Sequence, residues 1–212
     1  MTDGGWAGSD VPDSLTDVSD ARILVVCTGN ICRSPYIERV LATHLEPHGY
    51  TVESAGTRAL VDYPMEPQSL AQLARLGIDD ADFRARQLTP QIAAEADLIL
   101  TATRAHRADV VSLQPKALKY TFALADFAHL SDGIEEVPPA QTGFFGPADD
   151  SFIGRLLDHI GKRRTAIHPI AEDDADIVDP YRRAPEVFEQ MSDHIDAVTP
   201  AVVRALTLES LG

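Results

Sequence analysis

Cysteine is almost absent: Cys27 and Cys32 are the only two in 212 residues. Two cannot build the disulfide framework of a secreted chain this long, so a reducing, cytoplasmic setting is expected. With no histidine beside them they also supply too few ligands for zinc, and neither a metal nor a cofactor is expected. The seven histidines, His44, His48, His106, His129, His159, His168 and His194, form no spacing pattern and read as surface or satisfied core positions. No stretch approaches the roughly 20 apolar residues of a membrane span. Basic charge is scarce, 18 Lys and Arg against 33 Asp and Glu, for a formal charge of -15. That balance argues against nucleic acid or an anionic membrane as partner. The deficit is local: residues 1–20 hold five Asp and no Lys or Arg, and residues 131–179 hold 11 acidic and 4 basic side chains. What remains has 17 acidic and 14 basic residues, so the overall charge says little about an active site. Residues 1–21, without a basic group or an apolar run, read as a disordered acidic tail and not as a signal or transit peptide. No internal repeat is visible, and nothing in the composition sets an oligomeric state.

What is present is a hydrophobic fraction of 44%, enough for one globular domain over residues 22–212. Ile23-Leu24-Val25-Val26 is the continuous apolar run of a strand buried on both faces of a parallel sheet. Ser34 is placed to cap a helix with Pro35 at its first position, and Ile37, Val40, Leu41 and Leu45 then recur at helical spacing. Further strands fit Tyr50 to Ser54, Leu98 to Leu100 and Lys119 to Phe122, with helices opening at Pro67, after Thr89 and Thr103, and at Pro185. Pro200 is expected to kink or split the last helix. This βαβ alternation predicts an open, mostly parallel sheet with helices on both faces and ligands at the carboxyl ends of its strands. Residues 131–175 read as an acidic insert: a long loop from Ser131 to Gly146, then one extra helix whose Phe152, Ile153, Leu156, Leu157 and Ile160 share a face.

The loop joining the first strand to the first helix, Cys27-Thr28-Gly29-Asn30-Ile31-Cys32-Arg33-Ser34, lies where such a sheet binds ligands. Gly29 and Asn30 tolerate positive φ, so the loop can curl its N–H groups inward as an anion nest, helped by the dipole of the helix that follows. A cysteine at the mouth of that nest is a candidate nucleophile, because an anionic sulfur gains hydrogen bonds meant for an anion. Arg33 can fork two N–H donors to phosphate oxygens. A buried structural cysteine in an ordinary βα turn is the competing reading, but Gly-Asn within the loop and Arg-Ser-Pro opening the helix are independent conditions against it.

Val25-Val26-Cys27-Thr28-Gly29-Asn30-Ile31-Cys32-Arg33-Ser34-Pro35 resembles the phosphate loop of the low-molecular-weight protein tyrosine phosphatase family. The likeness continues through Glu53-Ser54-Ala55-Gly56-Thr57, Ala85-Arg86-Gln87 and Asp179-Pro180-Tyr181, across most of residues 22–126 and 176–206. It implies a flavodoxin-like sheet and a cysteinyl-phosphate intermediate, with a phosphotyrosine protein as substrate and inorganic phosphate as product. Carried over by position, Cys27 is the nucleophile, Arg33 the clamp and Asp179 the general acid. Asn30, Ser34 and Ser54 form the network that holds the loop. Thr28, Gly29, Asn30, Ile31, Cys32 and Ser34, with Leu60 and Tyr181, are implied to bind substrate, and Ser54 to support the loop. Three departures stand out: Leu60 where the family often has an aromatic residue, Phe83 where it often has a histidine, and the long insert.

Glu172, Asp173, Asp174, Asp176 and Asp179 all crowd the approach to the last helix. Asp179 is favoured because Pro180 holds it in extended geometry and Tyr181 follows to flank a substrate ring. Cys32 has two readings, a packing residue or a partner that captures an oxidised Cys27. A protein arginine phosphatase is one alternative, against which Ile31 speaks, since a smaller polar residue tends to stand there. A thioredoxin-coupled arsenate reductase would need further cysteines. A catalytically silent phosphate-binding module would not need the set Cys27, Arg33 and Asp179.

Overall fold

The computed structural model describes residues 21–78, 82–139 and 151–208. Four strands, β1 (Arg22–Cys27), β2 (Thr51–Gly56), β3 (Leu98–Thr101) and β4 (Thr121–Ala123), form one parallel sheet in the order β2-β1-β3-β4. The register pairs Cys27 with Gly56 and Val26 with Thr101, so the carboxyl ends of β1, β2 and β3 meet at one edge. The strand order reverses direction between β1 and β3, and a crevice opens there above the strand ends. This is the flavodoxin-like arrangement expected from the sequence, and it places the loop after Cys27 in that crevice.

The eight helices among the described residues are α1 (Arg33–Leu45), α2 (Pro67–Arg75), α3 (Pro90–Ala94), α4 (Arg104–Leu113), α5 (Leu124–Ser131), α6 (Phe152–Arg163), α7 (Glu172–Ala175) and α8 (Pro185–Leu206). Alternation along β1 divides them between the two faces. Ile23, Val25 and Cys27 pack with Tyr36, Ile37 and Leu41 of α1, Phe127 of α5 and Met191 and Ile195 of α8. Leu24 and Val26 turn the other way, against Ala93 of α3 and Val110 of α4. The expected extra helix is α6: Ser151 caps it, accepting from the Gly154 N–H at 3.1 Å, and Phe152, Ile153, Leu156 and Ile160 join the core of the first face.

Three local expectations change. Ser34 does not cap α1, whose N-cap is Cys32; it lies in the first turn and directs its hydroxyl to the site. The fourth strand starts two residues later than expected, because Pro115–Lys119 winds into a 3-10 turn. Helix α8 continues through Pro200 for 22 residues without splitting. The tail at 1–20 and the part of the glycine- and proline-rich loop at 140–150 lie outside the described residues. Among the described residues no helix is long and apolar enough to cross a membrane.

Candidate active site

Strand β1 ends at Cys27, and its buried, β-branched body fixes where the sulfur stands. From there the chain curls. The carbonyls of Cys27, Thr28 and Gly29 accept from the N–H groups of Thr57, Arg58 and Leu60 at 2.9, 3.0 and 3.0 Å, and that of Ile31 accepts from Glu66 at 2.8 Å. Cys32 accepts from Tyr36 at 3.2 Å. In a planar trans peptide the N–H points opposite its carbonyl, so the N–H groups of Thr28, Gly29, Asn30, Cys32 and Arg33 turn toward the concave side. The anion nest is therefore made by the segment 57–66 pulling the carbonyls outward. Only Asn30 takes positive φ, at 56°; Gly29 does not, so the curl rests on one of the two residues expected to allow it. Gly56 lets the loop approach, since a Cβ there would stand 2.5 Å from the Thr28 carbonyl oxygen.

Beneath the loop a hydrogen-bond chain has a determined direction. The Arg86 N–H donates to Asn30 Oδ1 at 2.8 Å, which fixes the amide and leaves Nδ2 to donate to Ser34 Oγ at 2.9 Å and Ser54 Oγ at 2.8 Å. Ser54 in turn donates to Glu38. Ser34, already an acceptor from Asn30, has its own O–H free for Cys27 Sγ at 2.9 Å. Asn30, Ser34 and Ser54 are almost fully buried, so all three support the loop from below, and the side chains of Asn30 and Ser34, expected to bind substrate, do not line the cleft. Glu38, 6% exposed on α1, is a member that the helical pattern did not mark. Phe83 packs into the apolar core, and the polar partners that it cannot supply come from Glu38 and the Arg86 backbone.

Above the loop a cleft of about 150 Å³ is lined by Cys27, Thr28, Gly29, Ile31, Cys32, Arg33, Arg58, Leu60, Asp179 and Tyr181. Leu60 and Tyr181 both line this cleft. The Arg33 guanidinium, 6% exposed, donates to the Ile177 carbonyl at 3.3 Å and pairs with Asp179 Oδ2 at 2.8 Å. The other Asp179 oxygen accepts from the Tyr181 N–H at 3.2 Å, wrapping the carboxylate around Pro180 while its side chain stays 53% exposed. The neighbouring candidate Asp176 is occupied elsewhere, accepting from the Arg104 N–H at 2.7 Å at the start of α4. Asp179 is the acid that reaches the cleft.

His106, one of the histidines expected at surface or satisfied core positions, is a satisfied core residue beside the cleft. It is buried between Thr28, whose Oγ1 is 2.8 Å from Nε2, and Thr103, whose Oγ1 is 2.7 Å from Nδ1. Burial and the Arg33 charge lower its pKa to about 4, so the ring is neutral. Both cysteines are free, and burial pushes the Cys32 thiol well above the usual thiol range.

Residues 22–140 match the family described as "Low molecular weight phosphotyrosine protein phosphatase". The chain is 41% identical over 104 residues to the probable low molecular weight protein-tyrosine-phosphatase EpsP of Ralstonia nicotianae, covering 49% of this chain and 70% of that one. It is 42% identical over 94 residues to Etp of Escherichia coli, a low molecular weight protein-tyrosine-phosphatase, covering 44% and 62%. Among solved structures it is similar to Vibrio vulnificus Wzb in complex with benzylphosphonate, with a TM-score of 0.60 and 27% identity over 87% of this chain and 97% of that one. The YwlE arginine phosphatase of Geobacillus stearothermophilus shares the fold at a TM-score of 0.62 and 24% identity, over 87% of this chain and 91% of that one.

Proposed function

The chain belongs to the low molecular weight phosphotyrosine protein phosphatase family, and from that premise we propose that it hydrolyses phosphotyrosine in proteins with Cys27 as nucleophile, Arg33 as clamp and Asp179 as general acid. The observation that carries this reading is the convergence of the three side chains on one cleft, with the Arg33–Asp179 pair closing it at 2.8 Å. In the first step the Cys27 sulfur forms a bond to phosphorus as the phosphorus–oxygen ester bond breaks, and Asp179 gives its proton to the departing tyrosyl oxygen. The loop N–H groups and the Arg33 fork hold the equatorial oxygens, where charge develops. In the second step Asp179, now a carboxylate, takes a proton from water, whose oxygen attacks phosphorus. The sulfur–phosphorus bond breaks, and inorganic phosphate and the thiolate are released. The Ser34 hydroxyl, turned toward Sγ by Asn30, stabilises the sulfur anion at both ends of the cycle.

A dianionic substrate competes with Asp179 for Arg33, so binding releases the Asp179 carboxyl group to face the leaving oxygen. Ile31 and Leu60 give the mouth an apolar wall suited to an aryl ring, which supports phosphotyrosine over phosphoarginine. Two free, buried cysteines suit a reducing cytoplasm. The deciding experiment is a turnover panel of phosphotyrosine, phosphoserine and phosphoarginine peptides with the wild type, Cys27→Ser and Arg33→Ala. Phosphotyrosine is expected to turn over fastest, and each variant to lose turnover by at least about a thousandfold, as removal of a nucleophile or a transition-state clamp does. Vanadate and inorganic phosphate are expected to compete with substrate. Preference for phosphoarginine, or near-wild-type turnover in Cys27→Ser, overturns the assignment.

A further inference from the structure

His106 is a buried imidazole that the two chemical steps above do not use, yet it joins the phosphate loop to the first turn of α4 across the point where the sheet order reverses. We infer that His106 is a positioning residue that makes Thr28 an additional hydrogen-bond donor to the phosphoryl group, by holding the Thr28 hydroxyl as an acceptor from Nε2–H and so directing its own proton into the cleft. The inference rests on the phosphatase reading of the same cleft.

Proton counting gives the direction. Thr103 caps α4, its Oγ1 accepting from the His106 backbone N–H at 3.1 Å. Its single O–H then has a nearby acceptor in His106 Nδ1 at 2.7 Å. A neutral imidazole carries one proton, so an accepting Nδ1 requires the proton on Nε2. Nε2–H therefore donates to Thr28 Oγ1 at 2.8 Å. A hydroxyl that accepts on one side keeps its proton for another partner, and Thr28 lines the cleft beside Cys27 and Arg33. The opposite tautomer would turn the Thr28 proton toward His106 and leave the Thr103 proton without this acceptor. Neutrality, on which the count depends, follows from burial and from Arg33; Asp109, Asp176 and Asp179 act in the opposite sense and are outweighed.

The same device operates below the loop, where Asn30 donates to Ser34 and frees that hydroxyl for Cys27 Sγ. Two hydroxyls beside the nest are thus set as donors, one by an amide for the sulfur and one by an imidazole for the phosphoryl oxygens. Thr28 is then a catalytic residue, and His106 acts through it.

Two readouts test the relay in the full chain. Imidazole ¹⁵N resonances of the vanadate-bound wild type are expected to show His106 protonated on Nε2 and unprotonated on Nδ1. Thr28→Val is expected to lower kcat for an aryl phosphate about tenfold, with Thr28→Ser restoring it to within about twofold, the scale of one neutral donor lost and regained. His106→Gln, whose amide reaches the Nε2 position, is expected to retain more kcat than His106→Asn, which reaches only Nδ1. Proton occupancy on Nδ1, or wild-type kcat in Thr28→Val, overturns the inference. Cys27→Ser is measured alongside: if it keeps turnover, the phosphatase reading itself fails. If it is silent while Thr28→Val is undiminished, only the relay fails. The tautomer readout requires no turnover and separates a folding defect in the His106 variants from a wrong assignment.

Discussion

At the scale of single residues, the site works by giving each polar atom one direction. Asp179 is engaged by Arg33 on one oxygen and by the Tyr181 N–H on the other, and half of its side chain is exposed to an incoming leaving group. Asp179→Asn is therefore expected to slow an aryl phosphate with a poor leaving group by about a hundredfold and one with a good leaving group far less, because only the former needs its oxygen protonated. A series of substituted phenyl phosphates checks this, and equal slowing across the series would reassign the acid. His106 links the site to stability. Its folded pKa, about 4, lies below its ordinary 6.5, so between those values the unfolded chain binds a proton that the folded chain does not. Stability is then complete above pH 6.5 and falls as pH drops toward 4. Urea unfolding of wild type and His106→Gln at pH 7.5 and pH 5 tests the sign: the wild type is expected to lose more on acidification. Equal losses would remove His106 as the source.

At the scale of elements, the decisive contact is the packing of the β2 exit against the loop from β1. Gly56 pairs with Cys27 across the sheet, its N–H donates to the Arg86 carbonyl at 3.0 Å, and its carbonyl accepts from Leu88 at 2.8 Å. The backbone on both sides is held, so a methyl group 2.5 Å from the Thr28 oxygen cannot be relieved by moving Gly56 alone. The phosphate loop has to move instead. Gly56→Ala is expected to cost about 1–3 kcal/mol of stability, as overpacking does. It should also weaken competition by inorganic phosphate, since the displaced carbonyl belongs to the peptide whose N–H faces the anion. Inhibition constants and urea midpoints measured on the same preparation check both; unchanged phosphate inhibition would detach this close approach from nest geometry.

At the scale of the molecule, α6 ties the acidic segment to the sheet. Leu156 and Ile160 are fully buried in the same cluster as β1, α1 and α8, so α6 reaches the body through its apolar face. We propose that residues 22–212 unfold as one domain. Leu156→Ala is expected to destabilise the whole by roughly 2–5 kcal/mol, shifting one unfolding transition while kcat at low temperature stays at the wild-type level. Separate transitions by tryptophan-independent probes, such as far-ultraviolet ellipticity and phosphatase activity, would show α6 to be an independent unit.

What the chain determined by itself is what depends on neighbours in sequence. The apolar run 23–26, Gly-Asn inside the loop, Pro35 at the start of α1 and the Asp179-Pro180 dipeptide are local patterns, and they mark their elements and the candidate site residues without any tertiary contact. Local patterns also misled: Ser34 has the chemistry and place of a helix cap, yet a buried amide and a thiol compete for its hydroxyl and win. Tertiary structure alone decided the partners. Thr28 and His106 are 78 residues apart, and Ser54 and Glu38 come from a strand and a helix that meet only when β2 pairs with β1. Periodicity reports which face of an element is buried, and turn chemistry reports where the chain reverses. Neither says which polar atom will lie opposite which, because that is set by strand order and register, and these follow from packing the whole sheet.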